Sequence, residues 1–255
     1  MQRYITLFLV LLMALTLSAC SQTNEPQGED KFYDAEAVLT AKVIDINEKS
    51  ILLANMAEDA GHADIYRISV DGIDIITDNG KQDIKDLNRG MLVDIAFDGM
   101  VLDSFPMGLS NIEGIYIKDQ REDFSGLYKT VIADLFKVDP GLNDNINILA
   151  FDLTGVNMAE AEKTAFIHLM GEIYDLGTIA GTYEALCEQG YINKEQLYFE
   201  KGLLFTIEDE PMSGDRFSFN ATKWRSGKGA YYFHDCTAIK SQDGWSYTIG
   251  AEMIS

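Results

Sequence analysis

The hydrophobic period of this chain changes once, at the charged run Asp119-Gln120-Arg121-Glu122-Asp123, and that change limits the folds open to it. Before the run, apolar residues alternate or cluster in short stretches bounded by turn residues, the pattern of strands. Val38 to Ile46 leads through Asn47-Glu48-Lys49 into Ile51 to Ala54. Ile65 to Val70 and Ile73 to Ile76 follow, closed by Asp78-Asn79-Gly80. Met91 to Phe97 runs into Asp98-Gly99, a strong hairpin signal that makes Met100 to Phe105 the expected returning strand. Ile112 to Ile117 supplies the last strand before the break, and no long helix is expected in this half.

After the break the period is helical. Phe124, Leu127, Tyr128, Val131, Ile132, Leu135 and Phe136 mark an amphipathic helix stopped by Asp139-Pro140-Gly141. A strand is expected over Ile146 to Leu153. Asn157 with Glu160 resembles a capping box, opening a helix with Met158, Ala161, Ala165, Phe166, Leu169, Ile173 and Leu176 on one stripe and Gly177 at its end. A short helix over Tyr183 to Gln189 precedes four strands: Leu203 to Ile207, Phe217 to Ala221, Ala230 to Ile239 and Trp245 to Ala251. The pattern predicts an α+β chain: a small antiparallel OB-like β-barrel over 32–118, closed because closure removes exposed edges, then an α+β domain over 122–255 with helices packed on a curved antiparallel sheet. That second pattern resembles cystatin-like or nuclear-transport-factor-like cones, an analogy of fold that assigns no function.

The N-terminus reads as an address. Gln2-Arg3 precedes an apolar run from Ile5 to Leu17, shorter than the roughly 20 residues that span a bilayer. It ends in Leu17-Ser18-Ala19-Cys20, which resembles the lipobox of bacterial lipoproteins. The resemblance implies a signal peptide over 1–19, removed to leave Cys20 as the lipid attachment site, and a place on the extracytoplasmic face of the cell membrane. The competing reading is an ordinary secretory signal followed by a chance cysteine. Acyl chains contribute about 0.8 kcal/mol per buried methylene, so two hold firmly where one is marginal. Residues 20–31 then form a polar tether, its Ser21–Lys31 stretch reaching at most roughly 36 Å at about 3.3 Å per residue.

The first half is also similar to the YobA-like domain of Bacillus-type lipoproteins. The likeness lies in Ala37-Val38 through Ile46, Tyr66-x-Ile68-Ser69-Val70, Leu87-x-x-Gly90-x-x-Val93-x-Ile95, Asp98-Gly99 and Ser104-Phe105-Pro106. It covers about a third of the chain and implies a small barrel and export, with no chemistry attached. The second half has no such likeness.

Charge narrows the partners. The net charge is −21, and removal of residues 1–19 takes away one more positive charge, Arg3. Such a chain is repelled by nucleic acid and by anionic headgroups, so no nucleic-acid partner is expected. The expected partners are membrane lipid through the anchor and an envelope protein or small ligand.

The residues that carry chemistry are few, and no catalytic, cofactor-binding or metal set is expected from them. His62 lies in a loop, and His168 with Glu172 is a helical i, i+4 pair lacking a third ligand. His234 and Cys236 stand two apart on a strand, roughly 7 Å from one another and too far for a nucleophile and its base. A core-facing row of Tyr232, His234, Cys236 and Ala238 is the simpler expectation. Cys187 and Cys236 are the pair an exported chain can bridge, or they are two separate buried thiols. Asp139, Asn143, Asp144 and Asn145 lack the spacing and glycine of a calcium loop. Ser226-Gly227-Lys228-Gly229 does not lead into a helix as a phosphate loop must. Trp224-Arg225 stands out as a candidate interface pair, or as a Trp covering the end of a core. The reading that fits is a membrane-anchored binding or sensing module, more a non-enzyme than an enzyme. The alternative is a hydrolase using a cavity in the second domain.

Overall fold

The computed structural model describes Phe32 and residues 35–57 and 64–255, so the signal, Cys20, the tether and His62 lie outside the described residues. Of what is described, 47% is strand and 20% helix, with three α-helices. The α+β expectation is therefore corrected to a mostly β chain.

The first sheet is built from β1 (Ala37–Ile46), β2 (Ser50–Asn55), β3 (Ile65–Ser69), β4 (Ile75–Thr77), β5 (Gly80–Gln82), β6 (Met91–Phe97) and β9 (Gly114–Gln120), in the order β3-β2-β1-β6-β9-β4-β5. Its alternation is the one visible in sequence: Leu39, Ala41 and Val43 of β1 and Val93 and Ile95 of β6 share one buried face with Ile51, Leu53 and Ile115. Two features overturn the antiparallel barrel. β4 runs parallel to β9, and the order ends in β3 on one side and β5 on the other, with no ladder among the described residues to close the ring. Asp98-Gly99 also fails to return the chain onto β6. The Asp98 carboxylate accepts from the Met100 N–H and turns the chain away, so β7 (Val101–Leu102) pairs with β8 (Gly108–Leu109) as a separate two-stranded sheet.

The second sheet contains β10 (Ile148–Gly155), β11 (Gly177–Ala180), β12 (Gly202–Asp209), β13 (Arg216–Ser226), β14 (Gly229–Ser241), β15 (Gly244–Thr248) and β16 (Ala251–Ile254). Its order is β11-β10-β12-β13-β14-β15, with β16 also beside β14. β10 runs parallel to both neighbours, so the sheet is mixed and not wholly antiparallel, whereas the four C-terminal strands expected from sequence, β12 to β15, are joined antiparallel. The crossovers are α2 (Glu160–Tyr174) and a segment holding α3 (Tyr183–Glu188). Helix α2 ends at Asp175, in the left-handed conformation at φ 53°, so Gly177 opens a strand instead of closing the helix. Its N-cap is Ala159, not Asn157; Glu162 reaches back to the Ala159 N–H at 3.2 Å, half of a capping box.

Helices α1 (Phe124–Lys137) and α2 lie between the two sheets, and one core runs through all three layers. From the first sheet it takes the face opposite the sheet's own core: Ile44, Leu52, Ala54 and Ile65. From the helices come Tyr128, Val131, Ala165, Phe166 and Leu169, and from the second sheet Phe151, Phe205, Phe219 and Phe233. Because α2 is covered on two sides, its apolar residues do not form a single stripe. Met170 is buried, whereas Ile173 is about half exposed.

A charge sits in this layer. Lys42 of β1 and Glu162 of α2 form an ion pair at 2.5 Å, each side chain 7% exposed. Removing one member of such a pair strands the other without water. Lys42→Ala is expected to cost about 3–5 kcal/mol in urea unfolding, whereas Lys42→Met with Glu162→Leu together is expected to restore most of that loss. A double variant no more stable than the single would contradict the assignment.

Candidate functional site

Trp224 and Arg225 point to opposite faces of β13. The Trp224 ring packs on the outer face of the second sheet with Leu186, Ile192 and Phe199, meeting the Tyr183 ring edge-on at 5.2 Å. Arg225 faces the other way and donates to the carbonyls of Leu142 at 2.6 Å, Asp144 at 2.7 Å and Glu200 at 3.1 Å. Both are partly buried, so they do not make the exposed pair that an interface anchor needs. Beside them Lys223, fully buried, donates to the carbonyls of Val138 and Asp139 and to Asn143 Oδ1. The oxygen-rich loop around Asp139 and Asn143 thus surrounds two protein cations. Ser226-Gly227-Lys228-Gly229 is the turn between β13 and β14.

The expected row of Tyr232, His234, Cys236 and Ala238 is broken by a β-bulge. Asp235 sits at φ 50°, its N–H taken by Asn220 Oδ1 at 3.0 Å, and the register on β13 slips across this point. The extra residue moves alternation by one. Phe233, Cys236 and Ala238 therefore face the core, while Tyr232 and His234 stack on the other face with ring centroids 5.7 Å apart. Gly250 fits here because a Cβ would come within 2.6 Å of the Asp235 carbonyl oxygen. Burial pushes the Cys236 thiol up to about 11, the opposite of what a nucleophile needs. Cys187 lies half-buried in the separate cluster under α3, and both cysteines are free thiols. His168 contacts Glu172 at 3.2 Å, and Glu172 also pairs with Arg67 of β3 at 2.5 Å, tying α2 to the first sheet. Among the described residues, no group of three or more His, Cys, Asp or Glu side chains is placed to hold a metal ion.

A concave feature lies where the two sheets meet. A cleft of about 660 Å³ is lined by the loop Leu87-Asn88-Arg89, the linker Gln120-Arg121-Glu122-Asp123 and the β14–β15 turn from Lys240 to Trp245. Each wall is fixed by its neighbour. Gly90, at φ 83°, lets the first loop lie against the linker, where a Cβ would come within 2.7 Å of the Arg121 carbonyl oxygen. The Gly90 carbonyl accepts from the Arg121 N–H at 2.9 Å. Asp123 caps α1 by accepting from the Gly126 N–H at 2.8 Å and holds Arg89 Nε at 3.2 Å. Glu122 accepts from Lys240 at 2.6 Å and from the Trp245 indole N–H at 3.1 Å, which fastens the β14–β15 turn to the linker. Trp245 in turn packs on Phe217, centroids 5.2 Å apart.

The lining carries Arg89, Arg121 and Lys240 against Glu122, Asp123 and Asp243, an even balance in a chain of net charge −21. Arg121 is the most solvent-facing of the three cations, 59% exposed, and pairs at 3.3 Å with an equally exposed Asp119. Surface pairs of that kind are worth about 0–1 kcal/mol, so a ligand carboxylate can displace Asp119 at small cost. Ile46 and the Trp245 ring give the cleft apolar surface. A smaller cavity of about 390 Å³ on the other side of the linker shares Arg121 and Glu122 and reaches Lys42.

None of these cleft residues stands out in the sequence, where each wall reads as a turn or a domain break. The one available signal was that three separate breaks all carry Arg or Lys in an acidic chain. Comparison with protein-family models, with curated proteins and with solved structures gives no match to this chain.

Lys223 offers a pH test of the loop it organises. Burial pushes its ammonium down to about 8. Between that value and about 10.4, the unfolded chain holds a proton that the folded chain has released. This group's contribution to stability therefore rises with pH across that window. Urea midpoints of the parent are expected to gain on those of Lys223→Met between about pH 7.5 and 9.5; a constant difference would show that the lysine titrates normally.

Proposed function

We propose that this chain is a lipid-anchored binding protein of the extracytoplasmic membrane face, holding a small ligand of mixed charge in the cleft between its sheets. The observation that carries the reading is the balanced charge of the cleft walls in so acidic a chain. Arg121 suits a carboxylate and the acidic side chains an amine, with Trp245 and Ile46 as apolar surface. A volume of about 660 Å³ falls within the range of roughly 300–1,000 Å³ usual for small-molecule sites. A zwitterion such as an amino acid or short peptide meets all three demands. The anchor follows from Leu17-Ser18-Ala19-Cys20, and the YobA-like resemblance supports export.

A hydrolase in the second domain has less support. The helix-facing side of the second sheet is filled by Phe151, Phe205, Phe219 and Phe233, and His234 lies on the opposite face from Cys236.

Two measurements test the proposal separately. Cys20→Ala is expected to move the chain from the membrane fraction to the soluble fraction, and unchanged retention would remove the anchor. Trp245 reports on the cleft: titration with amino acids and short peptides is expected to change its fluorescence, with the signal lost in Trp245→Phe. Arg121→Ala is expected to weaken binding about tenfold or more, as for a lost charge-assisted hydrogen bond. A flat titration across both ligand sets would overturn the cleft assignment.

A further inference from the structure

The smaller cavity beside the cleft offers a ligand little but carbon. Thr40 and Lys42 stand two apart on β1, so they share the helix-facing side of the first sheet. Leu92 of β6 pairs with Lys42 across the ladder and lies on the same face. The Met56 N–H donates to the Thr40 carbonyl at 3.0 Å, which brings Met56 to the edge of this floor. Arg121 and Glu122 of the linker complete the lining of a space of about 390 Å³. Three of its four polar side chains are already committed. Thr40 Oγ1 donates to Asp94 at 2.6 Å, and the Lys42 ammonium to Glu162 at 2.5 Å. The Glu122 carboxylate accepts from Lys240 and from the Trp245 indole N–H. The bonds at Lys42 and Glu122 also hold layers of the fold together. What remains for an occupant is the half-buried Met56 and Leu92 and the stem of Lys42. A polar group brought here from water loses its hydrogen bonds without replacing them, whereas an apolar one gains by burial.

Arg121 is the fourth polar side chain, and it lines the larger cleft as well. Its pair with Asp119 is exposed on both sides and readily exchanged. A ligand carboxylate seated on Arg121 therefore lies where the two cavities meet. In a peptide, the terminal carboxylate and the last side chain spring from the same Cα. Anchoring that carboxylate at the junction leaves the side chain within reach of the smaller cavity. The amino end then extends into the larger cleft, whose walls carry Asp123 and Asp243. A methionine wall adapts to more than one shape, so bulk and apolarity matter here more than a particular outline.

We infer that the smaller cavity is a side-chain subsite of the cleft, and that the ligand is a short peptide ending in an apolar residue, its carboxylate on Arg121 and its last side chain between Met56 and Leu92. This rests on the reading of the cleft as a site for a zwitterion, and the test separates the two. The full chain is titrated by calorimetry with glycylglycine, glycylleucine, leucylglycine and glycylglutamine. Glycylleucine is expected to bind about tenfold or more tighter than glycylglycine, as for burial of one leucine side chain. Leucylglycine and glycylglutamine are expected to show no gain of that size. In Met56→Gln and in Leu92→Thr, the ratio between glycylleucine and glycylglycine is expected to fall towards one. If glycylleucine and glycylglycine bind the parent equally, the subsite is overturned while the cleft stands. Leucylglycine binding as tightly as glycylleucine would place the apolar side chain in the larger cleft and overturn the subsite too. So would a ratio that survives both substitutions. If none of the four binds, the reading of the cleft falls, and the inference with it.

Discussion

Burying Lys42 against Glu162 is tolerable only if both groups are held in place, and much of the fold is the set of contacts that holds them. Glu162 is fixed at the first turn of α2 by the Ala159 N–H, and Lys42 lies in the middle of β1, paired with β2 and β6 on either side. The Lys42 ammonium also lies 6.0 Å from the centre of the Phe124 ring at the start of α1. One cation therefore touches a strand's neighbours, the helical layer and the residue that follows the linker. A pair like this adds little net stability compared with apolar residues of the same volume. The pair also ties register, because a shift of α2 along the first sheet would separate Lys42 from Glu162.

That arrangement explains what the sequence showed and what it hid. β1, β2 and β6 were legible as short apolar runs bounded by turn residues, although β1 and β2 are buried on both faces, and the helical period of α1 was legible too. Helix α2 is buried on two sides, so its burial pattern departs from a single stripe: Ile173 is exposed and Glu162 is inside. The barrel expectation failed at β4, where three residues beside β9 in parallel orientation leave no alternation to read. β11 was hidden for the same reason, being four residues that begin with a glycine. The bulge at Asp235 could not be seen at all, because an αL aspartate and its Asn220 partner look like ordinary strand-exposed polar residues. The strand row from Tyr232 to Ala238 fails at that one residue.

The cleft was the least legible part, for a physical reason. Its walls are three turns far apart in sequence, and nothing local to any of them requires the others. Only the tertiary pairings, Arg89 with Asp123 and Glu122 with Lys240 and Trp245, turn them into one site. The candidates that did stand out, Trp224-Arg225 and the Asp139 loop, did so because they concentrate unusual residues. Those residues are unusual because they satisfy one another, with Lys223 and Arg225 supplying the positive charge that the loop's oxygens face.

The same bookkeeping of charge bears on the whole molecule. Against 41 acidic residues the chain has 20 Lys and Arg, and several of the latter are committed to joints between layers. Lys42 and Arg67 bind α2 to the first sheet, Lys129 binds α1 to Asp45, and Lys240 binds β14 to the linker. Each of these cations is matched by a carboxylate, so the joints are neutral and the excess negative charge is carried by the rest of the surface. Such a surface is pushed away from anionic membranes at distances up to about a Debye length, roughly 8 Å at physiological salt. A protein of this charge stays at a membrane only through contacts that do not depend on charge.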